Sequence, residues 1–170
     1  KAWPQYLLPH YALCNAMYAF TRNESPALKN NFIRWFVKHY NVDMSLAQCE
    51  DPTAFRHFND FFTRQLKNEA RPVCSSAHSI ACPVDGTVSQ IGRIENHAVF
   101  QAKGRHFTLN ELLAGQSAWV DKFVDGSFAT LYLSPKDYHR IHMPMDGTLR
   151  QMTYIPGKLF SVNAATARAV

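Results

Sequence analysis

The period of the apolar residues changes once along this chain, and that change limits the folds open to it. Up to about residue 66, aromatic and aliphatic side chains recur every three or four residues. From residue 80 they fall into short β-rich runs punctuated by Gly and Pro. Helices followed by strands, rather than alternating with them, predict an α+β fold: amphipathic helices at the N-terminus, then a mainly antiparallel β domain. At 170 residues the chain can bury one core of ordinary size. Hydrophobic residues at 46% against charged residues at 18% exclude a disordered chain.

The helical part has two sections. In the second, after a break at Asn23–Pro26, Leu28, Phe32 and Phe36 recur every four residues, joined by Ile33, Val37 and Tyr40. Lys29, Arg34 and Lys38 fall mostly off that stripe. Residues 1–40 hold five bases against Glu24 alone, a net charge of +4, whereas the other 130 residues hold 13 bases against 12 acids. A nucleic-acid-binding domain spreads its basic face over the fold, so no nucleic-acid partner is expected. Ahead of the stripe, Trp3, Tyr6, Tyr11, Tyr18 and Phe20 are groups enriched where lipid meets water. Residues 2–21 carry no charge, but Pro4, Gln5, Pro9, His10 and Asn15 interrupt them, so they do not read as a membrane span. Residues 1–40 are therefore expected to be a membrane-associating helical segment lying on an anionic bilayer. The competing reading packs the stripe on the protein's own core, and periodicity alone leaves both open.

Phe55, Phe58, Phe62 and Leu66 predict a further helix over 55–66, left through Arg71–Pro72 into extended chain. Strands are expected at 87–94, 98–102, 128–133, 138–143 and 148–155. Thr108 and Glu111 form a capping box that starts a helix, which Gly115 is placed to end. The four cysteines are 35, 25 and 8 residues apart, with no CxxC pair and no disulfide framework.

Chemistry concentrates in Ser134-Pro-Lys-Asp-Tyr-His-Arg-Ile-His142. Side chains alternate in a strand, so Asp137 and His139 would share a face and His142 would point away. That disfavours one metal held by all three, and no HExxH or Cys-rich partner is present; no metal is expected. Either the block is a surface strand with satisfied histidines, or His139 and His142 handle protons. A second feature, Cys82-Pro-Val-Asp-Gly-Thr87, reads either as a tight turn with Gly86 at positive φ or as an acid, Asp85, that orients a histidine.

The stretches FNDFFTRQLK at 58–67 before Arg71–Pro72, PVDGT at 83–87, YLSPKDYHRIHMP at 132–144 and PGKLFSVN at 156–163 occur in an order that resembles bacterial phosphatidylserine decarboxylases. The resemblance runs from about residue 28 to the end. It implies a peripheral enzyme on the cytoplasmic side of the inner membrane that converts phosphatidylserine to phosphatidylethanolamine and carbon dioxide. It also implies a covalent pyruvoyl cofactor, made by self-cleavage of a proenzyme at a Leu-Gly-Ser-Thr-like motif, and a homodimer of αβ units. On that resemblance, Asp85 and His142 belong with the cleavage serine, and His139 serves the decarboxylation, with Asp137 beside them. The sequence departs from the family pattern at one point, since its only Gly-Ser, Gly126–Ser127, precedes the histidine block. The chain is thus expected to be part of the larger subunit and inactive alone, with residues 41–170 a portion of the catalytic domain. The pyruvoyl serine is then expected beyond Val170, on the small α subunit. The alternative is a non-catalytic module that binds membranes peripherally.

Overall fold

A computed structural model describes residues 8–76, 78–95, 98–101 and 105–155. The Pro156–Asn163 block, like Trp3 and Tyr6, lies outside them. The chain divides into two compact units. One takes Tyr11–Gly86 and Leu133–Leu149, and the other is built on Thr87–Tyr132.

The first unit is helical. Helix α1 (His10–Thr21) and helix α2 (Pro26–Tyr40) are separated where the sequence breaks. There the Asn23 side chain accepts from the Ser25 N–H, and Pro26 opens α2 at a position that has no need of a donor. Asn41, left-handed at φ 52°, ends α2, and the Val42 N–H turns back to the Val37 carbonyl at 3.0 Å. Ile33 and Phe36 on α2 are buried with Val42, Phe55 and Phe61. Phe32 packs between Phe20 and Phe58, with ring centroids 4.9 and 4.7 Å away. The inner part of the apolar stripe thus faces protein, and Leu28 is its exposed end. Lys29 also turns inward: its ammonium donates to the carbonyls of Thr53 and Phe55 at 3.0 and 2.7 Å.

The helix expected over 55–66 is shorter. Helix α3 (Phe58–Phe62) starts where His57 Nδ1 accepts from the Asp60 N–H. It stops at Thr63, whose N–H and hydroxyl both return to the Asn59 carbonyl. Such back-bonding by a β-branched residue competes with further helix. Phe55 reaches the core from the preceding loop instead. Phe61 is fully buried, and at such a site loss of the ring costs about 3–5 kcal/mol.

The second unit holds two antiparallel pairs. Strand β1 (Thr87–Arg93) pairs with β4 (Ser127–Tyr132), and β2 (Ala98–Gln101) with β3 (Arg105–Thr108). Gly92 lies opposite Phe128, whose ring would sit 3.2 Å from a Cβ there, a tight contact that a larger residue could make only if the ring shifted by a few tenths of an ångström. Ile94, Leu109 and Val120 form the core with Leu113 and Phe128 against them. The capping box forms as expected: Glu111 accepts from the Thr108 N–H, and Thr108 Oγ1 accepts from the Glu111 N–H. It starts α4 (Leu109–Leu112), after which the chain turns through Gly115 at φ 76°. Strand β3 and helix α5 (Ser117–Phe123) were not expected from the sequence. The strands expected at 138–143 and 148–155 are irregular chain. Pro135 and Pro144 flank the first of these segments, and within it Tyr138 bonds His142 and His139 bonds the Asp137 carbonyl rather than a neighbouring strand. No helix among the described residues is long and apolar enough to cross a membrane.

Candidate functional site

The histidine block begins with a closed turn. The Asp137 N–H donates to the Ser134 carbonyl at 2.9 Å, and the Ser134 N–H donates to Asp137 Oδ2 at 2.6 Å. The Asp137 carboxylate is therefore bound to its own turn rather than to a histidine. It is the backbone carbonyl of Asp137 that holds His139, with Nδ1 2.9 Å away. A carbonyl only accepts, so Nδ1 carries the hydrogen in this bond. In the neutral ring Nε2 then keeps its lone pair, and it has no hydrogen-bond partner among the described residues. The half-buried imidazole lies 4.0 Å from the Phe62 ring.

His142 is held differently. Its Nε2 is 2.8 Å from the hydroxyl of Tyr138, which is buried, and the two rings stack with centroids 5.4 Å apart. The His142 N–H donates to the Pro83 carbonyl at 2.8 Å, and the Ala81 N–H to the Pro144 carbonyl at 2.9 Å. These two bonds lay the segment leading to Asp85 alongside the histidine block.

Asp85 itself is paired with Arg71. The guanidinium Nε contacts both carboxylate oxygens at 2.9 and 3.0 Å, and Nη2 reaches Oδ2 at 2.5 Å. That bond and the adjacent charge hold the Arg71 guanidinium above its usual value. Asp85 and His142 make no bond to each other among the described residues. Gly86 lies in a bend, not in the positive-φ turn expected of Asp-Gly; among the described glycines only Gly115 has positive φ.

Four residues of this site had no role in the sequence reading: Arg71, Tyr138, Arg64 and Arg140. Arg64 is 4% exposed and donates through Nη2 to the Lys136 carbonyl at 3.0 Å. Burial pushes its guanidinium below the usual value, against the pull of Asp85, Asp137 and Asp43. In return, Arg140 Nε donates to the Thr63 carbonyl at 2.7 Å. Only the acceptor chemistry of Asp85 hinted that a basic partner was needed. No group of three or more His, Cys, Asp or Glu is set to hold a metal among the described residues.

The site lies within a family match. The model for phosphatidylserine decarboxylase covers residues 58–170, and one described as PSD covers residues 1–41. Three relatives are each named phosphatidylserine decarboxylase proenzyme. That of Stutzerimonas stutzeri is 52% identical over 98% of this chain and 56% of its own length. That of Pseudomonas fluorescens is 54% identical over 98% of this chain and 58% of its own. That of Alkalilimnicola ehrlichii is 54% identical over 100% of this chain and 59% of its own. The chain thus spans 56–59% of the length of these relatives. With two thirds of its length under one family model and more than half its residues identical to those of named members, the chain belongs to the phosphatidylserine decarboxylase family.

Proposed function

We propose that this chain supplies the proton-handling residues of a pyruvoyl-dependent phosphatidylserine decarboxylase that matures by self-cleavage. The observation that carries the reading is His139, whose Nδ1 is fixed on a carbonyl while Nε2 has no partner among the described residues. An imidazole so held gives or takes a proton at one defined atom. It sits within the family match, on the same loop as His142. These residues fit a pyruvoyl group in their chemistry, since they offer two imidazoles and a phenol that can give or take protons beside its carbonyl. A pyruvoyl ketone supplies the sink for the electron pair left on the substrate's α-carbon when carbon dioxide departs. His139, once Nε2 has taken up a proton from solvent to make the imidazolium, gives that proton to the carbon and returns to the neutral ring held at Nδ1. His142 takes the proton of the cleavage serine, and its Nε2 already rests against a hydroxyl, that of Tyr138. Asp85 positions His142 when the carboxylate turns toward it from Arg71. The partner is the small α subunit released by cleavage, and the substrate is phosphatidylserine.

The full-length proenzyme tests this directly. Phosphatidylserine labelled in its carboxyl group should release labelled carbon dioxide, and mass spectrometry should find a small chain with a blocked N-terminus. Lipid binding without carbon dioxide release would favour the non-catalytic module and overturn the proposal.

The membrane-associating role of residues 1–40 is proposed on other grounds. Helix α1 buries none of its residues, and Tyr11, Met17 and Tyr18 on it are 75%, 55% and 61% exposed. Arg34 and Lys38 on α2 are exposed as well, whereas Lys29 is engaged internally. Basic residues near an anionic surface contribute roughly 1 kcal/mol each, and inserted aromatics add a part that salt does not screen. In liposome co-sedimentation, binding should require anionic lipid and weaken without vanishing as salt rises. Tyr11→Ser with Met17→Ser should remove the salt-resistant part, and Arg34→Glu with Lys38→Glu the charge-dependent part. Binding unaltered by both pairs would rule out this face. A peripheral place on the cytoplasmic side of the inner membrane belongs to the same proposal.

A further inference from the structure

We infer that Arg64 and Arg140 form a reciprocal clamp that positions His139 for proton transfer. The inference rests on the role proposed above for His139. Two segments far apart in sequence each send one guanidinium to a backbone carbonyl of the other. Arg64, just past α3, grips the Lys136 carbonyl, and Arg140, just past His139, grips the Thr63 carbonyl. The two bonds bracket His139 on both sides along the chain. Between them the imidazole lies against Phe62, the residue before Thr63, and its Nδ1 binds the carbonyl next to the one that Arg64 holds. The ring is thus fixed at its face, at one nitrogen and at the backbone on either side.

The burial of Arg64 points to position rather than stability. A guanidinium at 4% exposure is costly, and its Nε and Nη1 have no hydrogen-bond partner among the described residues. An apolar side chain of similar length would fill the space against Phe61, over whose ring the guanidinium carbon lies at 5.4 Å, without that cost. What it would lack is a charge-assisted donor to the loop carbonyl, a stronger and more directional tie than packing supplies. An error of about 1 Å in the placement of a reacting group costs on the order of 100-fold in rate. That is the scale at which such a tie matters.

The test uses full-length protein carrying Arg64→Met, Arg64→Lys or Arg140→Met. Arg64→Met should keep the thermal midpoint and lower kcat by about 10- to 100-fold, with KM within about twofold. Amide hydrogen exchange over residues 136–140 should accelerate. Arg64→Lys should recover part of kcat, because an ammonium still reaches the Lys136 carbonyl. Arg140→Met, at a half-buried site, should show the same pattern, so the proposal stays open to refutation even if Arg64→Met fails to fold. Unchanged exchange, a loss confined to KM, or faster exchange with normal kcat would overturn the clamp. Full activity in a His139→Ala protein would overturn instead the role on which the clamp rests, and the exchange data would still report whether the loop is held.

Discussion

With His142 replaced by Ala, the full-length proenzyme is expected to run as one uncut chain where the parent protein gives two. The reasoning starts from the proton that an attacking serine must lose. His142 Nε2 already lies 2.8 Å from the Tyr138 oxygen, so the ring is placed to engage a hydroxyl. Without the imidazole no base remains there, and loss of the base from a unit of this kind costs on the order of 10⁶-fold. Ala retains the backbone N–H that donates to the Pro83 carbonyl, so the loop keeps its tie to the Asp85 segment. Asp85→Asn should slow cleavage less severely, since it disturbs the orientation of the base and not its presence. It also removes one charge from the Arg71 pair, which is partly exposed and therefore a modest contributor to stability. Gels sampled over time after expression would separate the two variants. Prompt cleavage of the His142→Ala protein would end the assignment.

The sequence disclosed the class of fold because a change of hydrophobic period is a one-dimensional signal. The two long helices, the break at Asn23–Pro26 and the Thr108–Glu111 box followed by Gly115 were legible for the same reason, since each depends on neighbours within four residues. The stripe on α2 shows the limit. Periodicity marks which side of a helix is apolar but not what covers it, and Phe36 proved to be covered by Phe58, Phe61 and Phe62. The candidate site was legible in its histidine block and not in the groups that hold it. His139 and His142 stand in one short block, yet the groups that hold the site lie far off: Arg71 is 14 residues from Asp85, and Thr63 is 77 from Arg140. Two of these ties end on backbone carbonyls, which every residue has, so nothing in the acceptor's identity announces them. Asp137 illustrates the converse. Its carboxyl drew attention, but its carbonyl holds the histidine.

His139→Ala should divide the two activities that the same loop supports. The cleavage step as proposed uses His142, Asp85 and a serine, so a protein lacking the His139 ring should still mature into two chains. Decarboxylation should then fall by about 10²- to 10⁴-fold, the usual contribution of a positioned general acid. The loss should appear in kcat rather than KM, because the ring acts on the proton added after carbon dioxide leaves. The Asp137 carbonyl is left without its partner, but the site is half-buried and water can satisfy it, so the thermal midpoint should change little. The space opened beside Phe62 also offers a direct check on the chemistry. Added imidazole should restore part of the lost rate, in proportion to the fraction of it that is protonated at the assay pH, and the parent enzyme should not respond. A matured His139→Ala protein with near-normal turnover would show that water or another group delivers the proton. A variant that matures, turns over slowly and ignores imidazole would place the loss in the shape of the loop rather than in proton transfer.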